Sequence, residues 1–179
     1  MKPSSPSKSL TGLLLLMSLL ANIPTLAKQP ASVNKLKGPY LGQTPPGHTP
    51  VVFAPGLVST EHRDYSGSFT PDMQTFYFTR RDNQIEKWYL QQVKSNNGYW
   101  QESTLMPRVG RPILSPDGQT MHLGKKYMQR DRQGWSVIKS LGPMLDRDDW
   151  GIMRLSSSNS GTYVFDDYKN GDVLRISYV

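Results

Sequence analysis

Cysteine is absent from the 179 residues. No disulfide can brace the fold, no thiolate can act as a nucleophile, and no lipid-bearing cysteine can follow a leader. Stability must come from a hydrophobic core, and a chain of this size buries about two-thirds of its unfolded surface, enough for one domain. A Gly-x-Ser-x-Gly elbow is also missing, so nucleophilic catalysis has no support. No block rich in lysine and arginine is interleaved with aromatics, which argues against nucleic acid as a partner. Beyond residue 27 no apolar stretch approaches the ~20 residues of a spanning helix.

What is present begins with an address. Lys2 and Lys8 precede an apolar run from Leu10 to Leu20, and Thr25-Leu26-Ala27 ends it with small residues. The run is too short to span a bilayer, and the pattern is that of a cleaved signal peptide over residues 1–27. The expected location is the periplasm or the cell exterior. Removing the leader removes two lysines and no acids, so the formal charge falls from +7 to +5. That mild, scattered excess favours solubility and suits an anionic neighbour such as a cell-surface polymer.

Residues 28–50 read as a flexible linker rich in Pro and Gly, and Val51-Val-Phe-Ala54, closed by Pro55-Gly56, reads as a strand. Three stretches of residues 51–179 then resemble one another without gaps: Phe69–Thr79, Leu114–Gly124 and Leu155–Phe165, with starts 45 and 41 residues apart. Each reads as strand, turn, strand. The turn is clearest in Ser115-Pro116-Asp117-Gly118, where Pro presets φ, Asp accepts from the backbone beyond it and Gly takes positive φ. The first copy has Met73 at the Gly place and the third has Asn159 there. Second strands follow at Phe76–Thr79, Met121–Leu123 and Thr162–Phe165. Third strands follow at Trp88–Val93, Trp135–Ile138 and Asp172–Ile176, the last entered through Asn170-Gly171. Fourth strands are expected at Tyr99–Thr104 and, weakly, around Leu141–Leu145.

Four short antiparallel strands at a period just above 40 match a propeller blade. The fold class expected is all-β: a partial β-propeller of about three four-stranded antiparallel blades, the last incomplete. The Ser/Thr-Pro-Asp core followed by an aromatic or apolar residue resembles the WD40-like repeat of TolB-type β-propellers of exported bacterial proteins. It is well kept in Phe69–Thr79 and Leu114–Gly124 and degenerate in Leu155–Phe165. That resemblance implies a binding platform of the envelope, in some members joined to an enzyme. Closed propellers have about four to eight blades. One resolution is a homodimer in which each Val51–Ala54 strand completes a blade of the partner. The others are an open arc and a truncated remnant.

In a propeller the connections entering the inner strands share one face. Here they carry Glu61-His62-Arg63-Asp64, then Arg108 and Arg111, then Asp146-Arg147-Asp148-Asp149 beside Trp150. Charged groups gathered at a ring mouth are what a ligand site needs, and Trp150 could stack on a sugar or peptide. The expected ligand is an envelope protein, peptide or glycan. No cofactor and no metal is expected: His62, Asp64, Asp148 and Asp149 match no tight ligand spacing, and the Asp166–Asp172 segment lacks the distal Glu of a calcium loop. No catalytic residue is assigned. The alternative is a hydrolase of an envelope polymer using carboxylates such as Asp64 and Asp149, a pair that only the fold could bring within about 5–10 Å. His122, in a second strand, reads as structural.

Overall fold

The computed structural model describes residues 36–168 and 175–179. The expected signal peptide, the first residues of the expected linker and the Asn170-Gly171 turn lie outside them. Among the described residues the strands form three antiparallel sheets, and no helix there is long and apolar enough to cross a membrane. The first sheet holds β1 (Arg63–Phe69), β2 (Thr75–Arg81), β3 (Trp88–Asn96) and β4 (Tyr99–Pro107) in sequence order. The second holds β5 (Ile113–Leu114), β6 (Thr120–Leu123) and β7 (Lys126–Asp131), with β8 (Gly134–Trp135) and β9 (Lys139–Ser140) both pairing with β7. The third holds β10 (Gly151–Ser157), β11 (Tyr163–Tyr168) and β12 (Arg175–Tyr178).

The lead-in is part of the core. Trp100 donates its backbone N–H to Leu36 O at 2.9 Å and its indole N–H to Gly38 O at 2.7 Å. Leu41 is fully buried with Ala54, Val58, Phe76, Phe78, Val93 and Trp100. The strand expected over Val51–Ala54 is not formed. Val51 and Val52 are 59% and 64% exposed, while the Gln43 amide clamps the turn by accepting from Ala54 N and donating to Val52 O. Pro50 and Pro55 bracket the run and cannot donate to a ladder. The spare strand invoked for a homodimer is therefore absent.

Alternation along β2 explains how the layers meet. Successive strand residues point to opposite faces. Phe76 and Phe78 pack into the lead-in cluster, whereas Tyr77 joins Leu90, Met121, Leu123 and Met128. Tyr77 thus ties the first sheet to the second, and its hydroxyl accepts from Trp135 Nε1 at 3.1 Å. One step on, His122 faces Tyr163 edge-on, with ring centroids 5.5 Å apart, so β6 reaches the third sheet in the same way. The third sheet and the loop before it supply a separate cluster of Leu145, Ile152, Leu155 and Phe165. Strand β1 lies beside β5, and β10 lies beside β5 and β6.

The turn between first and second strands is one device used three times. Thr70 and Ser115 each bond an Asp two residues on, through Asp72 Oδ1 (2.6 Å) and Asp117 Oδ1 (2.5 Å), and each hydroxyl accepts from the N–H five residues on, that of Thr75 or Thr120. Met73 takes φ 56° and Gly118 φ 70°. The ungapped alignment fails in the third copy. There Ser158 plays the part of Thr70, Ser160 that of Asp72, and Gly161, at φ 89°, fills the place expected for Asn159. The turn is one residue shorter, and β10 runs to Ser157 rather than ending at Leu155.

The second sheet also departs from expectation. Leu123 pairs with Lys126 across a two-residue turn whose first central residue, Gly124, has φ 72°, the place a type II′ turn reserves for glycine. The third strand is therefore Lys126–Asp131, not Trp135–Ile138. It is polar, with Met128 its one buried residue, and so lacks an apolar pattern. Trp135–Ile138 belongs to a broken outer edge, where Val137 is 81% exposed, and the fourth strand is the pair β8 and β9, not Leu141–Leu145.

Candidate functional site

Antiparallel pairing puts the starts of the first strands beside the ends of the second: Arg63 opposite Arg81, Ile113 opposite His122, Gly151 opposite Tyr168. The connections entering β1, β5 and β10 are the three segments singled out by their charge. The second and third of these meet. Arg108, Asp148, Asp149 and Trp150 line one cavity of about 540 Å³, together with Lys125 and Tyr168.

Its walls are held by specific bonds. Trp150 donates its indole N–H to Leu145 O at 3.1 Å, and its ring meets Phe165 edge-on at 5.7 Å. Arg147 stacks over Trp150 at 5.4 Å and grips Asp149 through both Nε and Nη2. Asp149 in turn raises the Arg147 pKa, first by hydrogen bonding and then by its charge. Lys125 Nζ donates to the carbonyls of Arg147 and Trp150, fastening the β6–β7 turn to the loop before β10. Lys126 bonds Asp146, which also accepts from Ser140 at 2.5 Å. The Lys126 bond is the leading cause that holds the Asp146 carboxyl below its ordinary range. Asp148 is exposed at the rim. The floor requires close backbone approach: a Cβ on Gly110 would meet Leu123 O at 2.1 Å.

The first connection does not join this cavity. Asp64 accepts from Arg80 Nε at 2.6 Å and from Thr60 Oγ1 at 3.0 Å, with its side chain 11% exposed. Arg80 also bonds Glu102 and the carbonyls of Leu57 and Val58. Asp64 is thus a brace between the lead-in and the first sheet, engaged away from Asp149. His62 lines a smaller cavity of about 220 Å³ with Arg80, Asp82 and Tyr89. Glu61 and Arg63 are exposed, and the Glu61 carbonyl accepts from Asn83 Nδ2 at 3.4 Å. Arg111 stacks on Tyr65 at 5.0 Å. Among the described residues no three His, Asp or Glu side chains gather as a metal would need.

Two contributors escaped the sequence reading. Lys125 lies in the turn between β6 and β7, and the Gly124-Lys125 pair directly after Leu123 is the signal that marks it. Tyr168 lies at the end of β11, three residues past the apolar run that marked the strand. Comparison with family models, with curated proteins and with solved structures returns no match.

Proposed function

We propose that this chain is an exported, non-catalytic binding module of the cell envelope, a TolB-like partial propeller that recognises a protein, peptide or glycan at the end of its sheets where Arg108, Asp148, Asp149 and Trp150 converge. The observation that carries the reading is the cavity of about 540 Å³ formed by two connections more than 30 residues apart in sequence. Its size falls in the range of small-ligand sites, and it offers an aromatic wall with charges of both signs. The radial arrangement is supported by the stepwise use of β2 and β6, whose residues Tyr77 and His122 each face the next sheet, and by the neighbouring inner strands β1, β5 and β10. Export is supported by the leader pattern.

The hydrolase alternative loses its carboxylate pair, because Asp64 is bound by Arg80 and does not line the cavity. The test is binding of the processed chain to isolated cell-wall polymer and to glycan and peptide arrays. A ligand whose capture falls at least tenfold in Trp150→Ala, and is unchanged in the exposed control Arg132→Gln, supports the module. Turnover of a bound polymer abolished by Asp149→Asn would replace this reading with an enzyme. Indifference of every ligand to Trp150→Ala would remove the site.

A further inference from the structure

Tyr65 on β1 and Trp88 on β3 form an edge-on pair with ring centroids 4.8 Å apart. Three guanidinium groups surround that pair. Arg111 stacks on Tyr65 at 5.0 Å, Arg108 lies 5.6 Å from Tyr65 and 5.8 Å from Trp88, and Arg81 lies 6.0 Å from Trp88. Arg81 is matched by Glu86 at 2.7 Å. Among the described residues no carboxylate pairs with Arg108 or Arg111, and the Nε atoms of both are shielded from solvent without an acceptor. Arg80, Arg147 and Arg154 are held by carboxylates, whereas Arg63, Arg130 and Arg132 have none among the described residues; what sets Arg108 and Arg111 apart is the stacked pair beneath them and a solvent-shielded Nε without an acceptor.

Stacking on an aromatic face orients a guanidinium plane and leaves its edge free to donate two parallel N–H bonds to an oxyanion. Arg108 also lines the large cavity, where Lys125 is a further cation whose bonds go to carbonyls rather than to an acid. Asp148 and Asp149 also line this cavity, but Asp149 is engaged by Arg147 and Asp148 is exposed at the rim, so neither pairs with Arg108 or Lys125. Two such cations match the two negative charges of a phosphate monoester better than the single charge of a carboxylate. We infer that Arg108, braced by Tyr65 and Trp88 and seconded by Arg111, is the anchor for a phosphate monoester group on the molecule that enters this cavity. The inference rests on the binding-face reading and names the chemistry of its ligand.

The test uses the processed chain at fixed ionic strength, with inorganic phosphate as the probe and acetate and chloride as comparators, read by tryptophan fluorescence and by indole N–H shifts. Saturable binding of phosphate at least tenfold tighter than acetate is expected. Arg108→Gln is expected to weaken it at least tenfold, Arg108→Lys by an intermediate factor because the charge stays and the fork is lost, and Arg132→Gln not at all. Because Arg108→Gln removes a stacked side chain, Arg111→Gln and the Lys variant provide the same test if it fails to fold. Equal responses to phosphate and acetate, or phosphate binding indifferent to Arg108→Lys and Arg111→Gln, would overturn the inference. A glycan or peptide that depends on Trp150 but not on Arg108 would overturn it while leaving the binding module standing.

Discussion

His122 Nε2 lies 3.0 Å from Ser157 Oγ, joining β6 of the second sheet to the last residue of β10 in the third. The histidine is 1% exposed, and its other ring nitrogen has no partner. Burial pushes its pKa below the ordinary 6.5, since desolvation disfavours the imidazolium.

That geometry sets a pH dependence. In the unfolded chain His122 protonates near 6.5, before the folded chain does, so the unfolded state binds more protons in the interval between the two values. The stability associated with neutral His122 is present above about 6.5 and is lost as pH falls through the lower folded value. Urea midpoints measured from pH 7.5 to 5 should decline, and His122→Gln should flatten the decline. The depressed carboxyls of Asp72 and Asp117, each held down first by the Thr70 or Ser115 hydroxyl, act in a separate window below 3.8. A midpoint that stays level from pH 7.5 to 5 in the parent chain would contradict the assignment.

Arg80 is the second test. It is 12% exposed and serves two carboxylates and two carbonyls. Removing one partner of such a network strands the others, and the loss is commonly about 3 kcal/mol. Arg80→Met should lower stability by that order. Arg154→Ala, which breaks an ion pair whose arginine is 56% exposed, should cost under about 1 kcal/mol. Denaturant unfolding of the two variants side by side separates a structural brace from surface decoration.

The repeated turn supplies a reciprocal substitution. Met73 holds a left-handed conformation that costs a side-chain-bearing residue roughly 1–2 kcal/mol. Glycine would relieve this, partly offset by its greater freedom when unfolded. Met73→Gly should be neutral or stabilising by up to about 1 kcal/mol. Gly118→Ala should destabilise, because a Cβ there would meet Pro71 Cδ at 2.8 Å. Thermal unfolding with opposite shifts is expected, and shifts of the same sign would break the equivalence of the two turns.

Gly124 combines both demands: φ is 72°, and a Cβ would come within 2.7 Å of Ile152 O on the neighbouring sheet. Gly124→Ala should cost at least about 1 kcal/mol and also weaken ligand capture, since the same turn carries Lys125 into the cavity. A variant that binds normally would uncouple the turn from the site.

The all-β class and three antiparallel sheets were legible because Thr70-Pro-Asp and Ser115-Pro-Asp report turn chemistry that is local, and because β2 and β3 carry dense aromatic and aliphatic residues. Lys126–Asp131 was not legible, since one buried methionine suffices where β7 is covered on one side only. The packed lead-in was hidden because Leu36 and Leu41 are isolated aliphatic residues in a segment rich in Lys, Gly and Pro, and because the Val51–Ala54 run that holds Phe53 reads as a strand; only tertiary contact shows them as core. That Arg108, Asp148, Asp149 and Trp150 share one cavity was legible because loop charge at a common sheet end is a topological inference. That Asp64 lies apart from them was not legible, because its partner Arg80 is on another strand and sequence spacing carries no record of that pairing.

The apolar clusters have a kinetic meaning. One cluster is shared by the first and second sheets through Tyr77, Leu90 and Met121, whereas the third is drawn from the last sheet and its preceding loop. Elements that contact mainly their neighbours open in units rather than all together. Amide protons of β10 and β11 should therefore exchange with solvent sooner than those of β2 and β3, and the molecule should fray from its C-terminal side while Tyr77 and Trp135 remain joined.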